Sequence, residues 1–343
     1  MQNPIATLGI DLAKDKMHVV GLDEHGKVRL RRQFSRSALM RFLGKHPVCR
    51  VAMEACAGSH HIARKAEAFA HDAHLLPAQY VRAYVKSQKN DYADAEAIAE
   101  AATRPTMREV SIKSVSQQEL QLLHRERDAW VGQRTDTANR IRAVLLEFGI
   151  TVAKGLNQLR QAVPFILEDA DNGLPERVRD LVAELWADLY RLDERVDTLT
   201  GELEQRARQD ERTRRLLDVP GVGPIVATAL VAAIGDGAAL RCGRDLAAWL
   251  GLVPRQHSSG GKPRLLGISK RGNRYLRTLI IHGARAVLRH AGRRRDALGA
   301  WLRRLLERKH PNVAAVALAN KLTRVSWAVL RRGDAFDVEA MVA

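Results

Sequence analysis

The sequence predicts an α/β domain at the N-terminus followed by an all-α remainder. Three observations carry that prediction. Residues 1–113 alternate short apolar runs with helical segments, the apolar spacing then settles at three and four residues, and the positive charge gathers in the last 133 of 343 residues. Two or so domains and a connector fit this length.

In order along the chain, Ile5 to Leu12, Lys16 to Leu22 and Lys27 to Phe34 read as consecutive strands, the last two joined by the turn Asp23-Glu24-His25-Gly26. Ser35 is placed to cap a helix from Ser37 to Leu43, followed by a strand at Arg50 to Glu54, a helix at Ser59 to Ala70 and a short strand at His74 to Pro77. Three meandering strands followed by crossovers is the order of a ribonuclease H-like sheet. Asp11 and Glu54 each close an apolar strand, at the wet rim of such a sheet. Asp91 and Asp94 lie three apart at a helix start and so share one face. Four hard oxygen donors suit Mg²⁺, with Mn²⁺ as a substitute, and point to phosphodiester chemistry.

Residues 114–148 read as a long polar helix, with a loop around Pro164 to Pro175. Val178, Val182, Leu185, Leu189, Leu192, Val196, Leu199 and Leu203 then alternate spacings of four and three, a heptad seam that predicts a coiled coil across a connector of residues 114–210. Spacing leaves open whether the seam meets a second chain or the 114–148 helix of its own.

Residues 211–343 hold 25 basic and 9 acidic side chains, against 31 and 30 in residues 1–210, so +16 of the net +17 lies in the C-terminal part. That asymmetry predicts a polyanionic partner. Hydrophobic content of 46% excludes general disorder, and three unpaired-looking cysteines, Cys49, Cys56 and Cys242, fit a reducing cytosol. The N-terminus has no signal-peptide pattern, and the longest apolar stretch, Pro224 to Ile234, is too short to span a bilayer, so a soluble cytoplasmic chain is expected.

The basic region opens with Pro220-Gly221-Val222-Gly223-Pro224 between two apolar helices, which resembles a helix-hairpin-helix; Gly221 and Gly223 would let the backbone meet a nucleic acid. A Ser258-Ser259-Gly260-Gly261 loop follows, with Lys262, Arg264, Lys270, Arg271, Arg274 and Arg277 close behind. Cations around a hydroxyl would stabilise an attacked phosphate, although such a loop read alone is more often a linker.

Taken together, Gly9-Ile10-Asp11, Met53-Glu54-Ala55, Lys89-Asn90-Asp91-Tyr92-Ala93-Asp94-Ala95, Pro220 to Pro224, Ser259-Gly260 and Ile268-Ser269-Lys270-Arg271-Gly272-Asn273 resemble the DEDD transposases of bacterial insertion sequences, the IS-one-ten family in its IS-eleven-eleven branch. The likeness runs from residue 5 to about 330. It implies a RuvC-like domain whose metal ligands are Asp11, Glu54, Asp91 and Asp94, and a transposase domain whose Ser259 attacks DNA to form a phosphoserine link. It further implies a structured guide RNA, homodimers that join into tetramers, and action on element and target DNA near the nucleoid. Ser258 beside Ser259 leaves the residues themselves ambiguous; the neighbouring glycine selects Ser259.

Other groups have plainer readings. His60, His61, His71 and His74 would point apart, while Tyr80, Tyr84 and Tyr92 near Arg82, Lys86 and Lys89 could stack on RNA bases or simply pack. Arg293-Arg294-Arg295 and Arg303-Arg304 suit solvated, phosphate-facing helix positions. Rival functions are a Holliday-junction nuclease using metal-activated water, a non-enzymatic DNA-binding protein, and a sugar-kinase or actin-like ATPase, for which no Gly-rich phosphate loop occurs in residues 1–110.

Overall fold

Turns placed between the first apolar runs decide how the strands pair. A computed structural model describes residues 4–85, 90–333 and 335–342, in two compact units, 1–115 and 116–343. The first unit contains β1 (Thr7–Leu12), β2 (Lys16–Leu22), β3 (Val28–Ser35), α1 (Arg36–Leu43), β4 (Arg50–Glu54), α2 (Ser59–Ala68), β5 (Asp72–Leu76), α3 (Ala78–Val81) and α4 (Asp91–Ala102). The sheet runs β3-β2-β1-β4-β5; β1, β2 and β3 form an antiparallel meander, and β4 and β5 continue it in parallel. At the β2–β3 turn, Asp23 accepts from the backbone N–H groups of His25 and Lys27, and Gly26 takes a φ of +78°. Ser35 caps α1 by accepting from Ala38 N.

Period-2 alternation sorts each strand onto two faces. Leu8, Ile10, Met17, Val19, Val51 and Met53 face one way and pack with Leu39, Leu43, Ile62 and Ala66 of α1 and α2. Val20, Leu22 and Ala52 face the other way, toward the alanine-rich α4. Gly9 lies on that second face: a Cβ there would sit 2.1 Å from Ala95 O and 2.6 Å from Ala99 N. Only a glycine strand position against small helical residues lets α4 come this close.

Element ends shift slightly from the sequence reading. β5 begins at Asp72, and α2 stops at Ala68 as the chain turns through Ala70, whose φ is +64°.

In the second unit, α5 (Val115–Glu147), α6 (Leu156–Glu168) and α7 (Glu176–Gln209) are followed by α8 (Glu211–Leu217), α9 (Pro224–Ile234), α10 (Gly243–Trp249), the hairpin β6 (Pro254–Gln256) and β7 (Leu265–Ile268), and α11 (Arg274–Arg289), α12 (Ala297–Arg308), α13 (Pro311–Arg332) and α14 (Val338–Val342). The loop expected from Pro164 begins only after Glu168, because Pro164 is inside α6, where Leu159 and Val163 are buried. The heptad seam packs within the chain. Glu119 pairs with Arg206, Arg127 with Thr200 and Arg134 with Asp193, so α5 and α7 run antiparallel. Val182, Leu185 and Leu189 share a buried cluster with Ile141, Leu145, Leu159 and Val163.

Residues 311–332 form an apolar helix longer than Pro224 to Ile234, long and apolar enough to cross a membrane, with a mean hydropathy of 1.3. Half of that window is buried, and Leu318, Ala319 and Leu322 belong to the core formed with α8 to α14. α13 is a core helix. Buried His124 on α5 ties this core together: Nδ1 lies 3.0 Å from Tyr275 Oη on α11, and Nε2 3.0 Å from Thr228 Oγ1 on α9. Burial holds His124 down at about 4, so the ring is neutral near pH 7 and joins the helices without a charge.

Two stability measurements check these contacts. Gly9→Ala should destabilise the first unit by about 1–3 kcal/mol or more, since the added methyl meets backbone rather than a movable side chain. Denaturant unfolding reads the loss. Leu189→Glu should place a carboxylate in the α5–α6–α7 cluster and lower helical content by circular dichroism, whereas a variant at the exposed Tyr190 should not.

Candidate functional site

The face of the sheet that carries Gly9 also carries the acidic site. Asp11 lies two residues beyond Gly9 on β1, Glu54 two beyond Ala52 on neighbouring parallel β4, and both therefore point toward α4. Asn90 caps α4 by accepting from Tyr92 N at 2.9 Å, which starts the helix where Asp91 and Asp94 fall in its first turn. Their carboxylates sit at the positive end of the helix dipole. Seating α4 over Gly9 thus brings two helical carboxylates over two strand carboxylates.

Electrostatics records the crowding. The Glu54 carboxyl is pushed above its ordinary range, first by burial and then by repulsion from Asp11 and Asp94. Asp11 and Asp91 offer oxygens that lie, together with a ring nitrogen of His18, within 4.8 Å of one another. Such a donor set fits a divalent cation: hard carboxylate oxygens at a partly wet rim, with repulsion that an ion would relieve.

His18 was not among the residues the sequence singled out. It pairs directly across from Asp11 in the β1–β2 hairpin, and only 8% of it is exposed. Its Nδ1 lies 3.5 Å from Asp91 Oδ2 without hydrogen-bond geometry, so this buried nitrogen has no hydrogen-bond partner among the described residues. On the other side of the ring, Nε2 is 3.0 Å from Gln33 Nε2, and the Tyr92 ring lies nearly perpendicular to it with centroids 4.8 Å apart.

In the second unit, Ser258 and Ser259 lie in the β6–β7 hairpin. Gly260 and Gly261 have φ of +56° and +74°, and Ser259 faces Lys262 across the tip. Two successive positive φ values make the tight reversal that needs both glycines. The serines differ. Ser258 Oγ accepts from Gln256 Nε2 at 3.0 Å and from Arg264 N at 3.1 Å, which occupies both lone pairs in the hairpin. The exposed Ser259 hydroxyl makes no hydrogen bond among the described residues.

The expected cations divide into two sets. Lys262, Arg264, Lys270, Arg271 and Arg274 are exposed on the hairpin, the loop after it and the start of α11. Arg277 is not: it is 9% exposed, and its Nη1 donates to Leu250 O and Arg271 O, so it holds the loop instead of facing a phosphate. The glycine pair divides likewise. Gly221, at φ +79°, is pressed against Gly283 of α11, where a Cβ would lie 2.7 Å from the carbonyl oxygen, whereas exposed Gly223 precedes α9 with open space around it.

The remaining candidates do not converge. His71 bonds Leu43 O, His74 sits between Asp72 and Glu109, and His60 accepts from Lys113 N. Tyr84 lies under Arg104, while Lys86 and Lys89 fall outside the described residues. Arg303 Nη1 donates to Arg294 O and so helps hold the turn before α12.

The raised carboxyl gives a pH test. A carboxylate raised on folding contributes its stability below its unfolded value and loses it as pH rises through its folded value. Glu54→Gln should therefore raise Tm in chelator at pH 7, by about 2–4 °C per kcal/mol of repulsion removed, and the gain should vanish near pH 4. Thermal melts at the two pH values check this.

Comparison with known proteins places the chain in a family. A model of DEDD transposases of the IS110 type matches residues 8–150, and the model described as "Transposase IS116/IS110/IS902 family" matches residues 213–299. The chain is 46% identical over 329 residues to a Pseudomonas aeruginosa protein described as "Probable family 20 transposase", covering 96% of this chain and 97% of that one. It is 43% identical over 332 residues to the transposase of insertion sequence element IS1111A from Coxiella burnetii (97% and 91% covered), and 41% identical over 334 residues to the transposase of IS1328 from Yersinia enterocolitica (97% and 98% covered). With both halves matched and relatives aligned along nearly its full length, the chain belongs to the IS110/IS116/IS902 family of insertion-sequence transposases.

Proposed function

We propose that this transposase is an RNA-guided recombinase that breaks and rejoins DNA with a serine nucleophile, Ser259, and a metal-binding tetrad, Asp11, Glu54, Asp91 and Asp94. The observation that carries the serine assignment is the contrast between Ser258, committed to the hairpin, and Ser259, exposed beside Lys262. The sheet order β3-β2-β1-β4-β5, with acidic residues at adjacent parallel strand ends, supports reading the first unit as a RuvC-like, ribonuclease H-like domain. A Mg²⁺ or Mn²⁺ ion bound by the tetrad would supply charge neutralisation at the phosphate under attack.

The residues of this chain do the rest. Ser259 Oγ forms the new bond to phosphorus as a deoxyribose oxygen leaves; the serine proton passes to a nearby base and the leaving oxygen gains one. One phosphate ester replaces another, so reversal of the step by an incoming DNA end rejoins the strand without outside energy. Lys262, Arg264, Lys270, Arg271 and Arg274, with the backbone at Gly223, contact the phosphates. The +16 charge of residues 211–343 supports binding of both DNA and a structured guide RNA. In the assembly that the family resemblance implies, homodimers join into tetramers, and the tetrad of one subunit serves the serine of another. The protein acts in the bacterial cytoplasm, on the nucleoid.

The test asks which atom attacks phosphorus. Wild-type protein incubated with guide RNA, Mg²⁺ and cognate DNA should give a protein–DNA adduct that survives denaturation; Ser259→Ala should give none, and Ser258→Ala should still give it. Cleavage by Ser259→Ala at the wild-type rate, with no adduct from either protein, would instead identify a metal-activated water and a Holliday-junction type of nuclease. In the same assay, Arg274→Ala should weaken DNA binding and flatten its salt dependence by about one unit of slope.

A further inference from the structure

We propose that His18 is a ligand of the divalent ion, so that the tetrad of carboxylates is completed by one imidazole nitrogen. This rests on reading the tetrad as a metal site. The motivating observation is separate from the acidity: the His18 side chain is nine-tenths buried, its Nδ1 lies 3.5 Å from Asp91 Oδ2 with no hydrogen-bond partner among the described residues, and a ring nitrogen of His18 is within 4.8 Å of donor atoms of both Asp11 and Asp91. A buried polar atom without a partner is destabilising unless something satisfies it. A cation between Nδ1 and these carboxylates would.

Three contacts hold the ring ready. Strand register fixes His18 opposite Asp11, so both side chains leave the hairpin on the same face. Tyr92, next to Asp91 on α4, packs nearly perpendicular to the ring. Gln33, on β3 across from His18, meets Nε2 at 3.0 Å. With the Gln33 amide nitrogen donating, Nε2 accepts and the ring proton sits on Nδ1, toward Asp91. With the amide turned by 180°, Oε1 accepts from Nε2–H, and the Nδ1 lone pair faces the carboxylates. Metal binding selects the second arrangement, the usual one for a ligating histidine whose far nitrogen donates to a neighbouring acceptor. Gln33 is then the residue that sets the tautomer.

A mixed nitrogen and oxygen donor set makes a chemical distinction that carboxylates alone would not. Mg²⁺ favours oxygen, whereas Mn²⁺ accepts imidazole more readily. The site should therefore hold Mn²⁺ more tightly than Mg²⁺, and loss of His18 should narrow that difference.

Pulsed electron paramagnetic resonance of Mn²⁺ bound to the full-length protein tests the ligand directly. Wild type should show a directly coordinated imidazole nitrogen, and His18→Gln should lose that signal and bind Mn²⁺ at least about tenfold more weakly, with a smaller change for Mg²⁺. Gln33→Leu should keep the signal and weaken Mn²⁺ binding less. Asp11→Asn serves as the control for the underlying site. If Asp11→Asn abolishes Mn²⁺ binding but wild type shows no nitrogen coupling, the tetrad stands and the role of His18 falls. If Mn²⁺ binds Asp11→Asn as it binds wild type, the tetrad reading falls and His18 falls with it. The wild-type spectrum decides even where a variant fails to fold.

Discussion

The first unit depends on one contact, the approach of α4 to the sheet over Gly9. Any side chain at that position would meet the backbone of α4 at Ala95 and Ala99. The helix has answered with alanine at almost every inward position, including Ala95, Ala97, Ala99 and Ala101, all buried. Close packing of this kind contributes modest hydrophobic area for each residue, yet it fixes distance tightly, because backbone cannot yield as a side-chain end can. Here the distance has chemical value. It seats the first turn of α4, with Asp91 and Asp94, over the ends of β1 and β4.

That arrangement puts stability and function in opposition. Four carboxylates meet at one rim, and Glu54 registers it: burial, with repulsion from Asp11 and Asp94, raises its carboxyl above the ordinary range. Such crowding is relieved by a cation, so a cluster of this kind suits metal binding better than it suits stability. His18 brings a ring nitrogen to the same space, opposite Asp11 in the hairpin.

Charge in the second unit has been divided between scaffolding and display. Arg277 is spent inside, bonded to the carbonyls of Leu250 and Arg271. The same loop is clamped from both sides: a Cβ at Gly251 would lie 2.2 Å from Arg271 O, and one at Gly272 1.8 Å from Trp249 O. Lys270 adopts a positive φ of 55° within it. A rigid loop of this sort carries Lys270, Arg271 and Arg274 outward in a defined direction, which a flexible basic tail would not do. The serine hairpin leaves from the same segment, since Ser269 N donates to Val253 O at 2.8 Å.

The sequence by itself determined the elements of the first unit and the strand ends and helix start on which the four carboxylates fall, because strand alternation, turn chemistry and helix capping are local and leave local patterns. Asp11 and Glu54 end apolar runs, and Asn90 precedes a helix that begins with acid. Composition likewise located the excess charge, which is a sum and needs no geometry. Tertiary structure decided what pairing and packing decide. His18 looked like an ordinary strand residue until register set it opposite Asp11, although the short connection between the two strands already implied that pairing. The heptad seam could have served either of two partners, and only the antiparallel match of α5 with α7 answered the question, since spacing specifies an apolar stripe and says nothing of what covers it. Arg277 and Gly221 matched the pattern of nucleic-acid contacts but went to the interior, because whether a guanidinium or a bare backbone faces solvent depends on elements distant in sequence: the Leu250 carbonyl for one and Gly283 for the other.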